Sequence, residues 1–226
     1  MHTVFRKELK YILPRKTAFQ IQQKIAKIME KDAYGKNGTY FIRSQYYDSI
    51  DDRDLKDNLD GVYVKRKIRL RIYDLDSSSV KLEYKCKNGM DGAKYSMSIS
   101  REDALRMQEG DFSFLLEKKD EFALRLYLRM TEGIYRPKTI IDYQRLAFCY
   151  PAGDVRITFD TDIRNTICPY GLFEENGMIP ASNTEHVLME VKFTGILPQT
   201  LQDLLKEADS LETANSKYSR ARMSMW

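Results

Sequence analysis

The sequence is short of the residues from which most catalytic centres are built. Its 226 residues include two histidines, His2 and His186, so neither a histidine-based triad nor a histidine-rich metal site is expected. The three cysteines, Cys86, Cys149 and Cys168, are odd in number and widely spaced. They read as free thiols of a reducing compartment, not as a disulfide frame or a zinc site. No apolar run of about 18 residues occurs, so no spanning helix and no direct membrane insertion is expected. The opening MHTVFRKELKY lacks the apolar core of a secretory signal, and the expectation is a cytoplasmic protein. A phosphate loop is missing as well, since Lys36-Asn37-Gly38 lacks its spacing. Net charge is also scarce: 37 Lys and Arg against 33 Asp and Glu leave +4. A bulk polycation is excluded, and any anion site must come from how the charges are arranged.

What the sequence does have is alternation. In KRKIRLRIY, residues 65–73, side chains of a strand fall on opposite faces with period two. Lys65, Lys67, Arg69 and Arg71 share one face; Ile68, Leu70 and Ile72 share the other. A solvated face is the plain alternative, because antiparallel sheets often have water on one side. Such a face normally mixes signs, since like charges in a row repel, and four cations without an acid call for an anion. The device recurs in VKLEYKCK (80–87), with Lys81, Glu83, Lys85 and Lys87 together, in FRKELKY (5–11), and more weakly around Arg145, Arg156 and Lys192. On VRITFDTDIR (155–164), Arg156, Thr158, Asp160 and Asp162 share a face.

Further elements follow from local signals. Pro14 opens a helix carrying Phe19, Ile21, Ile25, Ile28 and Met29 at roughly helical spacing. Residues 39–49 read as a strand, 51–59 as a short helix closed by Gly61, and 93–99 as a strand after an Asn88-Gly89 turn. Ser100 with Glu102 and Asp103 reads as a helix start, and 112–130 as one longer helical stretch. Strands 136–150 and 155–164 are joined by a turn at 151–154, a loop covers 168–185, and 187–193 is the last strand. A helix from Pro198 to about Leu211 and a short terminal helix complete the chain, with Met223, Met225 and Trp226 expected to pack it down. No composition break or repeat divides the chain, so one domain over 1–226 is expected. The fold class is α+β: an antiparallel, eight-stranded β-barrel with helices outside. With helices on the apolar faces, the charged faces would line the interior. A dry interior of unpaired charge fails by several kcal/mol, whereas a wet tunnel holding a polyanion does not. The few acids there, Glu8, Glu83 and Glu190, either neutralise neighbours or hold a hard divalent ion against phosphate oxygens.

Seven stretches, RKELKY, KIRLRIY, LEYKCK, IDYQRLAF, VRITFDTDIR, LMEVKF and NSKYS, resemble in that order the VTC (vacuolar transporter chaperone) catalytic domain of the triphosphate tunnel metalloenzymes. The resemblance covers nearly the whole chain. It implies a tunnel in which ATP is cleaved and its γ-phosphate passed to a growing inorganic polyphosphate chain, with Mn²⁺ or Mg²⁺. It implies Lys10, Arg69, Arg71, Lys85 and Lys217 as catalytic cations. It makes Arg145 and Arg156 further phosphate ligands and Glu190 the metal ligand; Lys67 and Lys192 of the same charged faces are expected to bind phosphate too, and Glu8 is a second metal candidate. The superfamily's ExExK opening is here Arg6, Glu8 and Lys10, so one possible metal ligand is a cation. That weakens a simple triphosphatase reading. The membrane segment and extra N-terminal domain of eukaryotic VTC proteins are not expected, nor is coupled translocation. Two rival readings stay open: a tunnel phosphatase acting on triphosphate or nucleoside triphosphates, and a non-catalytic polyphosphate-binding module. Nucleic acid is not an expected partner.

Overall fold

A computed structural model describes residues 6–35, 38–89, 91–150, 154–166, 169–175, 177–181, 185–208 and 216–223. His2, Cys168, Met225, Trp226 and the side chain of Arg6 lie outside the described residues. The strands are β1 (Arg6–Pro14), β2 (Glu30–Lys31), β3 (Thr39–Asp48), β4 (Val64–Ile72), β5 (Ser79–Asn88), β6 (Asp91–Ser100), β7 (Arg136–Tyr150), β8 (Val155–Thr166), β9 (Ile179–Pro180) and β10 (His186–Thr194). The helices are α1 (Arg15–Ile25), α2 (Arg53–Leu59), α3 (Arg101–Glu109), α4 (Phe114–Glu117), α5 (Glu121–Glu132), α6 (Gln199–Leu205) and α7 (Lys217–Met223). Strand pairing follows the order β1-β10-β8-β7-β3-β4-β5-β6, with the two-residue β2 and β9 added to β7 and β8. The fold is α+β with an antiparallel sheet and eight strands on the main path, as the alternation predicts. Among the described residues no helix is long and apolar enough to cross a membrane.

The chain forms two compact units, each assembled from separated segments. The first comprises Met1–Ile42, Asp142–Arg164 and Pro180–Arg220. Its core joins Ile21 and Ile25 of α1 and Leu201 and Leu205 of α6 to Tyr11, Leu13, Phe148, Ile157, Phe159, Met189 and Val191 of the sheet. Each buried Ile, Leu or Phe contributes roughly 1.5–3 kcal/mol. The buried stripe of α1 is Ala18, Ile21 and Ile25, with Met29 beyond it, while Phe19 is 60% and Ile28 38% exposed. The small Ala18 takes the sheet-facing position, which turns Phe19 outward.

The second unit comprises Arg43–Ile141, Asn165–Ile179 and Ala221–Trp226. Helices α3, α4 and α5 bury Met107, Phe114, Leu115, Leu126 and Met130 against Ile68, Leu70, Ile72, Val80, Leu82 and Ile99. Ser100 caps α3 as expected, its hydroxyl accepting from Asp103 N–H at 3.0 Å. The single helical stretch expected over 112–130 is instead two helices. Lys119 takes a left-handed conformation (φ 48) and Asp120 then caps α5, accepting from Ala123 N–H at 3.2 Å. The terminal α7 is held by Arg222, which donates to both Asp52 oxygens at 2.9 Å, while Met223 is exposed and packs nothing down. The loop expected over 168–185 is a connector whose start is fixed by Gln108 Oε1, which accepts from Gly171 N–H at 2.9 Å and Leu172 N–H at 3.2 Å.

Candidate functional site

In the first unit the alternation places the core residues of β1, β10, β8 and β7 on one face and charge on the other. The register then fixes the neighbours. Lys10 pairs with Glu190, which pairs with Thr158; Glu8 pairs with Lys192, which pairs with Arg156. Lys217, from the start of α7, joins this face.

Asp160 is the residue around which the cations are arranged. It is fully buried and accepts from Arg145 Nε at 2.6 Å and Nη2 at 2.7 Å. Lys217 Nζ lies 2.6 Å from its second oxygen and 2.9 Å from Glu190 Oε1. Glu190 Oε2 has Lys192 Nζ at 3.2 Å and an Arg145 nitrogen at 3.6 Å. Burial pushes both carboxyls up, but the surrounding cations outweigh it. Arg145 and Lys217 hold Asp160 below its ordinary range; Lys217, Lys192, Arg145 and Lys10 hold Glu190 well below. Burial would lower Lys217, and the two carboxylates reverse that and raise it. The Tyr143 ring supports both cations, with Lys217 Nζ at 5.0 Å and the Arg145 guanidinium at 5.3 Å from its centroid. At the next position along the sheet, Lys10 pairs with Glu8 at 3.3 Å. Arg156 pairs with Asp32 and donates to Tyr40 Oη at 3.0 Å.

The second unit carries its own charged face. Ile68, Leu70 and Ile72 of β4 are buried in the core, while Lys67, Arg69 and Arg71 point away from it. Across β5 and β6 the register pairs Arg69 with Glu83, Lys67 with Lys85, and Lys85 with Lys94. Glu83, 4% exposed, accepts from Arg69 Nε at 2.6 Å, has Arg71 Nε at 3.9 Å, and pairs with Lys94. Burial pushes its carboxyl up, but Arg69, Arg71 and Lys94 hold it well below the carboxylate range. Lys94 is itself lowered, by burial first and by the two arginines. Tyr46 Oη accepts from Arg69 Nη1 at 2.9 Å, and Tyr46, Lys67, Arg69, Glu83 and Lys85 line a small pocket.

The structure thus gathers Glu8, Lys10, Arg145, Arg156, Glu190, Lys192 and Lys217 on one unit's face, and Lys67, Arg69, Arg71 and Lys85 on the other's. It adds Asp160, Tyr143, Tyr46 and Lys94. Asp160 was legible as a face-mate of Arg156; that it binds Arg145 and Lys217 was not. Asp162, expected on that face too, has a left-handed backbone (φ 53) and pairs with Arg164 at 3.0 Å. Glu83 behaves as the neutralising acid of its cations.

Among the described residues no three His, Cys, Asp or Glu side chains gather into a metal cage. The donors suit a hard ion of another kind. Glu190 is an ionised carboxylate beside Asp160, with cations at both of its oxygens, so an Mn²⁺ or Mg²⁺ ion held there would replace one of those contacts and draw its remaining oxygens from phosphate and water. Glu8, paired with Lys10 at 3.3 Å, is a further carboxylate on this face.

Residues 5–226 match the family model of the VTC domain. No curated protein matches the sequence. Among solved structures, a candidate adenylate cyclase from Bacillus halodurans is similar at TM-score 0.54 and 13% identity, covering 95% of this chain and 94% of its own. A candidate adenylate cyclase from Vibrio parahaemolyticus gives TM-score 0.54 at 12% identity, covering 97% and 98%. At this identity the likeness is one of fold, the triphosphate tunnel fold.

Proposed function

The chain belongs to the VTC domain family, and from that membership and its cation-lined faces we propose that it is a metal-dependent polyphosphate polymerase, transferring the γ-phosphate of ATP to inorganic polyphosphate. The observation that carries this reading is the Asp160–Arg145–Lys217–Glu190 cluster. Two buried acids hold two cations in fixed geometry, and Lys10, Lys192 and Arg156 extend the positive charge along the strands. In this reading Lys10, Arg145, Arg156, Lys192 and Lys217 bind phosphate oxygens, as do Lys67, Arg69, Arg71 and Lys85 on the second unit's face. Each charge-assisted hydrogen bond contributes roughly 1.5–3 kcal/mol.

Chemistry of this kind needs no protein nucleophile. The terminal oxygen of the acceptor chain attacks the γ-phosphorus, the bond to the β-bridging oxygen breaks, and ADP leaves. Lys217 and Arg145, already fixed by Asp160, meet the charge that develops on the transferred group without reorganising. A divalent ion held by Glu190 and phosphate oxygens would neutralise that group further. The cysteines fit work in a reducing compartment such as the cytoplasm.

The test uses purified protein, ATP labelled at the γ-phosphate, and Mn²⁺ or Mg²⁺, with products resolved on a polyacrylamide gel. A ladder of labelled chains, lost in Glu190→Gln while tripolyphosphate still binds, is the expected result. Label released only as free phosphate would make the protein a tunnel phosphatase. Label that stays in ATP, with tripolyphosphate bound, would make it a binding module.

A further inference from the structure

Two tyrosines lie at the Arg156 end of the first unit's charged face. Tyr40 accepts from Arg156 Nη2 at 3.0 Å, and its ring is 6.0 Å from that of Tyr34, inclined by 56°. Tyr34 is 66% exposed. Single exposed aromatics are ordinary on protein surfaces, but this one is mounted in an unusual way. Its backbone N–H donates to Asp32 Oδ1 at 3.1 Å, and the same carboxylate pairs with Arg156. One side chain therefore ties the backbone of Tyr34 to the Arg156 guanidinium. The next residue, Gly35, has a left-handed backbone (φ 79), and a Cβ there would meet Thr39 O at 2.2 Å. The backbone beside the ring thus takes a conformation and a close approach that only glycine allows.

We propose that Tyr34, backed by Tyr40, is the platform on which the base of the nucleoside triphosphate stacks. This rests on the polymerase reading, which supplies the nucleotide. The register orders the parts. The Lys10–Glu190–Thr158 row comes first, the Glu8–Lys192–Arg156 row second, and the tyrosines adjoin Arg156. A nucleotide with its γ-phosphate at the first row and its inner phosphates at the second brings its base to the ring. Stacking uses the π-face that every base has, so the platform takes ATP and GTP with similar affinity.

The experiment is calorimetric titration of the full chain with ATP, GTP and inorganic tripolyphosphate in EDTA, where nothing turns over. Tyr34→Ala should weaken ATP and GTP by about tenfold, within the range a lost stack gives, and leave tripolyphosphate unchanged. Tyr34→Phe, which keeps the π-face, should restore both nucleotides. Because Tyr34 is exposed, the variants keep the fold. Equal weakening of ATP and tripolyphosphate, or no weakening of ATP, overturns the platform and leaves the polymerase reading standing. A wild-type protein that binds none of the three ligands overturns both.

Discussion

Asp160 shows how much can depend on a single carboxylate inside a cationic site. It contacts Arg145 twice and Lys217 once, and all three side chains are nearly sealed from solvent. Removing one partner of such a buried group leaves uncompensated charge. Asp160→Asn should cost about 3 kcal/mol in urea unfolding, and added tripolyphosphate should restore more stability to the variant than to the wild type. A variant as stable as the wild type would mean that the cluster is not held by this acid. Glu83 gives a pH test in the second unit. Burial raises its carboxyl, but Arg69, Arg71 and Lys94 lower it well below the ordinary 4.5. A depressed carboxyl stabilises the fold above its unfolded value, and loses that contribution as pH falls through its folded value. The stability advantage of wild type over Glu83→Gln should therefore be constant above about pH 6 and shrink below pH 4.5. An advantage that grows on acidification would reverse the sign of the assignment. Glu83 was visible in the sequence as an acid among cations, and Asp160 only as a face-mate of Arg156. Which cations each one holds depends on cross-strand register, and that is set by pairings far apart in the chain.

Among the elements, the strands were the more legible, because a two-residue period needs only a few residues to declare itself. β7 begins and ends where the alternation places it, and β4 buries the Ile68–Leu70–Ile72 face that its pattern assigns to the core. The helical stretch over 112–130 was misread because Leu, Phe and charged residues keep helical spacing on both sides of the break. The break lies at Lys118-Lys119-Asp120, where no Gly or Pro marks it. Its signal is the acid at 120, a side chain that competes for backbone N–H groups and so favours a helix start. Asp120→Ala should lower stability by about 1 kcal/mol, seen as a small fall in the thermal midpoint with the far-ultraviolet circular dichroism unchanged. If α5 tolerates the change without loss, the cap is ornamental and the φ of Lys119 alone makes the break.

At the level of the whole molecule, the two units interleave along the chain: three chain segments build the first, and three the second. Local patterns carry no signal of that division, since β3, β7 and β8 each begin in one unit and end in the other. What the sequence did reveal at this scale is the separation of charge from apolar surface on β1, β4 and β5, and more weakly on β7, β8 and β10, which points to a polyanion ligand for a chain of net charge +4. Whether that ligand is a phosphate chain or a nucleic acid turns on the aromatics. Single-stranded nucleic acid needs successive exposed rings on which to stack. Within the basic rows, Tyr46 and Tyr143 are 5% and 3% exposed and hold cations instead, and the exposed Tyr63 and Tyr73 stand at opposite ends of β4, so they form no run of adjacent rings. Tyr34 can serve one base, not a run. The acids within each face, Glu83 in one and Asp160 and Glu190 in the other, also limit the field that a long, stiff polyanion would feel at a distance. If the proposed cations contact its oxygens directly, tripolyphosphate should bind at an ionic strength of about 0.15 M, where charges more than about 8 Å apart are screened. A single-stranded oligonucleotide of equal total charge should not bind there. Fluorescence anisotropy with a labelled oligonucleotide, competed with tripolyphosphate, makes the comparison in one titration. Oligonucleotide binding that survives this salt and is not displaced would place the functional surface outside both basic faces.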